Sequence, residues 1–295
     1  MTSQDGVRLA LRVAGRPDAP VIVFLHGWAH SGRAWQRQLA DPGLAGRFRL
    51  VAVDLRGHGD SDAPDPGAGG YADPAAWAAD LDAVLRWCAE ASATKPIVVG
   101  WSYGGLVIID YLRVRGTAGL GGVVLVGAIT EIGRGRPGGA IGPTMRAALP
   151  AALSADEGVA RPALRTFVRG LVSAQSGSQT SGSQRSQRSR ATLEAALQVA
   201  FDDALAVTPA TRAALFDRTV DSVEVLADLD VPALIVHGTD DTVVEPRAAE
   251  FAAGKIQGGR LRWMNGVGHM PFAEAAAEFN AELLAFARGG RRRAE

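Results

Sequence analysis

The chain has 295 residues, 47% of them apolar, and its 31 Lys and Arg balance 31 Asp and Glu. That composition supports a substantial core, and zero formal charge argues against nucleic acid or an anionic membrane as the main partner. The single cysteine, Cys88, excludes an intramolecular disulfide; no signal segment precedes the first strand, and no apolar run nears the roughly 20 residues of a membrane span. The expectation is a soluble cytoplasmic protein that acts on a small molecule and ends in a solvated basic tail, Arg291-Arg292-Arg293.

Short β-rich runs alternate with helical patterns along the chain. Val7 to Val13 alternates with period two and predicts an early, partly exposed strand. Val21 to Leu25 is a continuous apolar strand, Arg33 to Leu39 a short helix, and Leu50 to Asp54 another strand. Pro74 to Ala91 reads as a helix with Asp73 as its cap and Pro74 in the first helical position. Cys88 falls on its apolar side and reads as a buried small residue. Further strands are predicted at Pro96–Val99, Gly122–Val126, Ala233–Val236 and Leu261–Met264, with a closing helix over Phe272–Arg288. Continuous apolar strands alternating with helices imply a mostly parallel sheet covered on both faces.

The alternation lapses over residues 130–231. Helices are expected there near Thr144–Leu153, Asp156–Val172, Ala191–Leu205 and Pro209–Phe216. We read the stretch as a helical cap on a core made of residues 1–129 and 232–295. Inside it, residues 173–190 hold a run of Ser, Gly, Gln, Thr and Arg that cannot bury enough apolar surface to offset its ordering entropy, and read as a flexible linker.

One motif points to chemistry. Gly100-Trp101-Ser102-Tyr103-Gly104 follows an apolar strand and precedes a helical run, the strand–turn–helix setting in which G-x-S-x-G forms a nucleophile elbow. A serine hydroxyl needs a base and a group that orients the base. His269, in the loop after the last strand, can reach the same carboxyl edge of the sheet as Ser102. The acid should follow a strand and precede His269, and Asp240 and Asp241 both satisfy this; local sequence does not choose between them. Two oxyanion donors are expected, the backbone N–H of Tyr103 and that of Trp28 in the loop His26-Gly27-Trp28-Ala29-His30. His26 is expected to brace that loop, His58 and His237 to be structural, and His30 to occupy a solvated loop position. No grouping has metal-ligand spacing and no nucleotide-binding motif follows a strand, so no metal or cofactor is expected.

Taken in order, Leu25-His26-Gly27-Trp28, the Asp54-to-Ser61 segment, Gly100 to Gly105, His237-Gly238-Thr239-Asp240-Asp241 and Gly268-His269 resemble the α/β-hydrolase superfamily. The resemblance implies a largely parallel eight-stranded sheet with a helical cap inserted after the sixth strand. It also implies that Asp241, third after the strand-ending glycine, is the acid. A tryptophan after His-Gly is similar to the cofactor-free haloperoxidase and aryl-esterase-like branch. Ala29 stands where that branch carries the proline linked to perhydrolysis, which leaves ester hydrolysis. A serine at the elbow, where dehalogenases and epoxide hydrolases carry aspartate, argues against both of those.

The expected activity is therefore hydrolysis of a carboxylic ester or lactone through an acyl-enzyme. Trp28, Tyr103, Met145 and Phe167 are the expected substrate contacts, suited to an apolar acyl or aryl group. Two alternatives stand beside it. One is C–C cleavage, cyclisation or thioester release by the same triad; the other is a non-catalytic receptor on the same fold.

Overall fold

Seven short strands, most of them rich in β-branched residues, pair into one sheet in the computed structural model, which describes residues 1–178 and 184–289. The strands are β1 (Leu11–Gly15), β2 (Val21–Leu25), β3 (Arg49–Val53), β4 (Ile97–Trp101), β5 (Gly122–Val126), β6 (Ala233–Gly238) and β7 (Arg260–Met264). Their spatial order is β1-β3-β2-β4-β5-β6-β7. Only β1 is antiparallel to its neighbour; every other pairing is parallel. β2, β5 and β6 are buried along their whole length, as strands covered on both faces must be. The edge strand β7 instead alternates exposed Arg260 and Arg262 with half-buried Leu261 and Trp263.

Seven strands replace the expected eight. The strand expected over Val7–Val13 begins only at Leu11. Ahead of it, a tight turn at Asp5 and Gly6 closes with Gly6 N–H donating to the Ser3 carbonyl, leaving Thr2 and Arg8 a single antiparallel bridge. The excursion from the sheet accordingly follows the fifth strand, not the sixth.

Eight helices of six residues or more are described. α1 (Pro74–Ala89) opens on Asp73, whose carboxylate accepts the Ala75 N–H at 2.8 Å, as the Asp-Pro start predicts. Cys88 is buried on it, and burial pushes its thiol up to about 12, which leaves it inert. α2 (Gly104–Arg115) starts two residues after Ser102. Strand and helix cross so closely there that a β-carbon on Gly100 would stand 2.6 Å from the Gly104 carbonyl oxygen. Between β5 and β6 run α3 (Pro143–Ala152), α4 (Glu157–Arg169), α5 (Gln184–Ala206) and α6 (Pro209–Ala214). α7 (Pro246–Lys255) and α8 (Ala276–Gly289) return to the sheet. The described parts of the Ser/Gly/Gln/Arg segment are helical, at Ala174–Ser178 and from Gln184 onward. Residues 179–183 and the tail Arg291-Arg292-Arg293 lie outside the described residues. No helix among the described residues is long and apolar enough to cross a membrane.

Candidate active site

Because β2, β4, β5, β6 and β7 are parallel, the loops that follow them gather at one edge of the sheet. β4 ends at Trp101, and the next residue, Ser102, takes φ +53°. A left-handed non-glycine residue costs about 1–2 kcal/mol. The surrounding chain holds it there: Ser102 N–H donates to the Val126 carbonyl at 3.0 Å, and its carbonyl accepts from Gly105 and Ile129 at 3.0 and 3.2 Å. The Ser102 side chain therefore stands off the end of the sheet at the start of α2, next to that helix's free N–H groups.

His269 follows β7 and Asp241 follows β6. His269 Nδ1 lies 2.7 Å from Asp241 Oδ2, both side chains fully buried. A carboxylate oxygen is an acceptor, so Nδ1 carries the proton and Nε2 presents its lone pair. Nε2 is buried and has no protein partner. The other Asp241 oxygen accepts the amides of Val243 and Val244 at 2.8 and 2.9 Å, which fixes the carboxylate plane. Burial alone would raise this carboxyl, but the charge and hydrogen bond of His269 outweigh it and hold Asp241 below its ordinary value. Asp240 faces elsewhere and accepts the Ser173 hydroxyl at 2.9 Å.

Gly127 links the backbone that holds Ser102 to the His269–Asp241 pair. It directly follows Val126, which holds the Ser102 amide. A β-carbon on Gly127 would stand 3.1 Å from His269 Nδ1 and 3.3 Å from Asp241 Oδ2, so no side chain fits between the pair and the β5 loop. The Trp101 indole N–H donates to the His269 carbonyl at 2.9 Å, a second tie between the serine strand and the histidine loop.

The β2 loop supplies the third wall. A β-carbon on Gly27 would be 3.0 Å from Ser102 Cβ. The amides of Trp28 and Tyr103 donate to no protein acceptor among the described residues, which leaves both free for a ligand oxygen. His26 braces the loop: Nδ1–H donates to the Gly27 carbonyl at 2.8 Å and Nε2 accepts the Leu55 N–H at 3.0 Å. Burial lowers His26 to about 4, so the imidazole is neutral in this role. Asp54 ties the end of the same loop through the Gly32 N–H at 2.7 Å. His237, on β6, sits with Nε2 3.2 Å from the Val244 carbonyl and 3.4 Å from Asp241 Oδ2, packing under the acid.

Of the expected substrate contacts, Trp28 and Phe167 meet edge to face with centroids 5.3 Å apart, one from the β2 loop and one from α4. The Trp28 indole N–H is taken by the Arg212 carbonyl at 3.1 Å. The Tyr103 hydroxyl donates to the Leu215 carbonyl at 2.8 Å, and its ring packs on Trp77 and Phe216. Its side chain thus fastens helical insertion to core. Met145 is buried on α3. His30 departs most from expectation: it is 2% exposed, stacked on Trp101 at 4.7 Å and on Phe167 at 6.0 Å, with Nε2 unpartnered. Its cover comes from a helix more than 130 residues away, and no local pattern announces that.

Glu274 was not singled out in the sequence either. Its carboxylate accepts the Gly268 N–H at 2.9 Å and the Ser173 N–H at 3.1 Å, holding the histidine loop against the insertion. A glutamate in a first helical turn gives no sequence signal of that contact.

Comparison with known proteins identifies the fold family. The profile of the alpha/beta hydrolase family matches residues 22–282. The crystal structure of the esterase RhEst1 from Rhodococcus sp. ECU1013 is 42% identical and superposes with a TM-score of 0.84, covering 97% of this chain and 96% of that one. A pimeloyl-[acyl-carrier protein] methyl ester esterase of Neisseria meningitidis is 28% identical over 92% of this chain and 96% of its own length. The "Probable oxidoreductase EphD" of Mycobacterium tuberculosis is 38% identical over 117 residues, 39% of this chain, and the chain spans only 19% of that protein. By the extent of the profile match, and by a structural relative aligned almost end to end, the chain belongs to the alpha/beta hydrolase family.

Proposed function

We propose that the protein is a serine hydrolase that cleaves a carboxylic ester or lactone through an acyl-enzyme. One observation carries the reading: an imidazole held at 2.7 Å by a buried carboxylate, its other nitrogen unpartnered among the described residues, its carbonyl tied to Trp101, the residue before a serine in a left-handed turn. His269 Nε2 takes the hydroxyl proton as Ser102 Oγ attacks the ester carbonyl. Asp241 keeps the imidazole in the required tautomer and stabilises the imidazolium. The Trp28 and Tyr103 amides receive the oxyanion. His269 then protonates the leaving alcohol, and water, deprotonated by the same nitrogen, releases the acid and regenerates the serine. The esterase names of two relatives that align nearly end to end, at 42% and 28% identity, support an ester as the substrate. Residues 130–231 act in this reading as a cap: Phe167 from α4 meets Trp28 from the oxyanion loop, an apolar wall suited to an acyl or aryl group.

A fluorophosphonate probe tests the proposal. Wild-type protein is expected to label stoichiometrically and to hydrolyse p-nitrophenyl acetate, and Ser102→Ala to do neither while keeping its circular dichroism spectrum. Wild-type turnover by Ser102→Ala would exclude the serine mechanism, and a folded wild-type protein that neither labels nor turns over would favour a receptor.

A further inference from the structure

Beyond the catalytic loops, a cavity of about 340 Å³ opens between the Gly32–Trp35 turn, the Pro271–Glu274 turn and α5. That size lies at the lower end of the range for small-molecule pockets, about 300–1,000 Å³. Its body is apolar, with Ala34, Ala196, Val199, Ala200 and Met270 among its walls, and His30 also lines it. Two of these residues touch the site already described. His30 stacks on Trp101, the neighbour of Ser102, and Met270 is the neighbour of His269. Burial drives His30 well below its ordinary value, so its ring is neutral, and Nε2 has no partner among the described residues. A buried polar atom without a partner is uncommon in folded chains; a ligand oxygen at this end of the cavity would satisfy it.

The lining also includes three guanidinium groups. Arg12 is 3.5 Å from Asp54 and 3.0 Å from Asp60, and Arg33 is paired with Asp203. Arg37 is different: its hydrogen-bond partner is the Ala273 carbonyl, and it makes no ion pair among the described residues. An unneutralised, half-buried cation beside an apolar cavity suits a chain that ends in an anion.

We propose that this cavity holds the acyl chain of the substrate, which runs from the ester carbonyl at Ser102 past His30 to a terminal carboxylate on Arg37, so that the preferred substrate is a medium-chain ester with an anionic far end. This rests on the ester-hydrolase reading and adds to it a chain length and a charge.

The experiment compares kcat/KM for p-nitrophenyl acetate, p-nitrophenyl octanoate and mono-p-nitrophenyl suberate. Val199→Trp, and independently Ala196→Phe, fill the cavity and should lower octanoate and suberate turnover about tenfold while leaving acetate unchanged. The unchanged acetate rate also reports that the variants fold. Arg37→Gln should lower suberate turnover alone, about tenfold. Equal losses on all three esters, or none, would overturn the chain site; an Arg37→Gln protein with full suberate turnover would overturn the anion preference. Calorimetric binding of suberate and octanoate to Ser102→Ala, with and without Val199→Trp and Arg37→Gln, reads the cavity without turnover. Failure of catalysis and failure of the cavity thus give different results.

Discussion

The loops at the carboxyl edge of the sheet and the helical stretch between β5 and β6 are built in opposite ways. The loops of the proposed site hold their side chains through backbone groups: Asp241 through the amides two and three residues on, His26 through Gly27 and Leu55, Asp54 through Gly32 and Asp60. The helical stretch is held to the core mainly by side chains that meet partners distant in sequence. Trp28 meets Phe167, Tyr103 meets Phe216, Arg218 takes both oxygens of Asp110 at 2.6 Å, and Ser173 reaches Asp240. Backbone hydrogen bonds give the precision that proton transfer demands, whereas side-chain anchors let the wall over them vary without disturbing it.

Breaking the local half should cost the most. Asp241→Asn is expected to lower kcat/KM on p-nitrophenyl acetate on the order of 10⁴-fold with little change in fold, because an amide no longer enforces the Nδ1–H tautomer of His269. Asp240→Asn, one residue away, should stay within a fewfold of wild type, since Asp240 contacts Ser173 and not the imidazole. Equal losses in the two variants would contradict the assignment of the acid. Breaking the long-range half should act on stability instead. Arg218 and Asp110 are 3% and 1% exposed. Arg218→Met leaves the Asp110 carboxylate buried without its charge partner and is expected to cost about 3–5 kcal/mol in urea unfolding. Adding Asp110→Leu should recover much of that loss, because a well-packed apolar pair replaces a desolvated one.

The same division governs how much the sequence reveals. The strand runs, the Asp73-Pro74 cap and the elbow context depend on neighbours within a few residues, and all are legible as patterns. The choice of Asp241 over Asp240 needed the family resemblance, since two adjacent aspartates offer identical local chemistry. The count of eight strands comes from the family resemblance, whereas the runs named in the sequence number seven, as in the sheet; the chain ahead of β1 makes a single bridge, Thr2 with Arg8. His30 was misjudged for a different reason. Its loop is polar and short, and its burial comes from Phe167 and the long helix α5, elements whose docking no periodicity encodes. Tyr103 was expected to line the pocket, yet its hydroxyl is committed to Leu215, a contact across 112 residues.

The last prediction concerns acid. Desolvation by burial lowers His26 to about 4 and His58 to about 3, against an ordinary 6.5, and pushes His30 well below it. These folded-state values lie below those of the unfolded chain. Above pH 6.5 both states are neutral and the full stability is present; as pH falls, the unfolded chain binds protons that the folded chain refuses, and stability is lost. Each histidine contributes at most about 1.4 kcal/mol per pH unit, through a window from about 6.5 down to about 4 for His26 and about 3 for His58. His26 and His58 lie edge to face at 5.0 Å beneath the β2 loop, so acid loads this side of the sheet. Urea midpoints followed by near-ultraviolet circular dichroism should be flat from pH 8 to 7 and decline steadily from pH 6 to 4.5, and His58→Asn should shallow the decline. A midpoint constant down to pH 4.5 would mean that the imidazoles take protons in place, and the brace under the oxyanion loop would then be softer than its geometry implies.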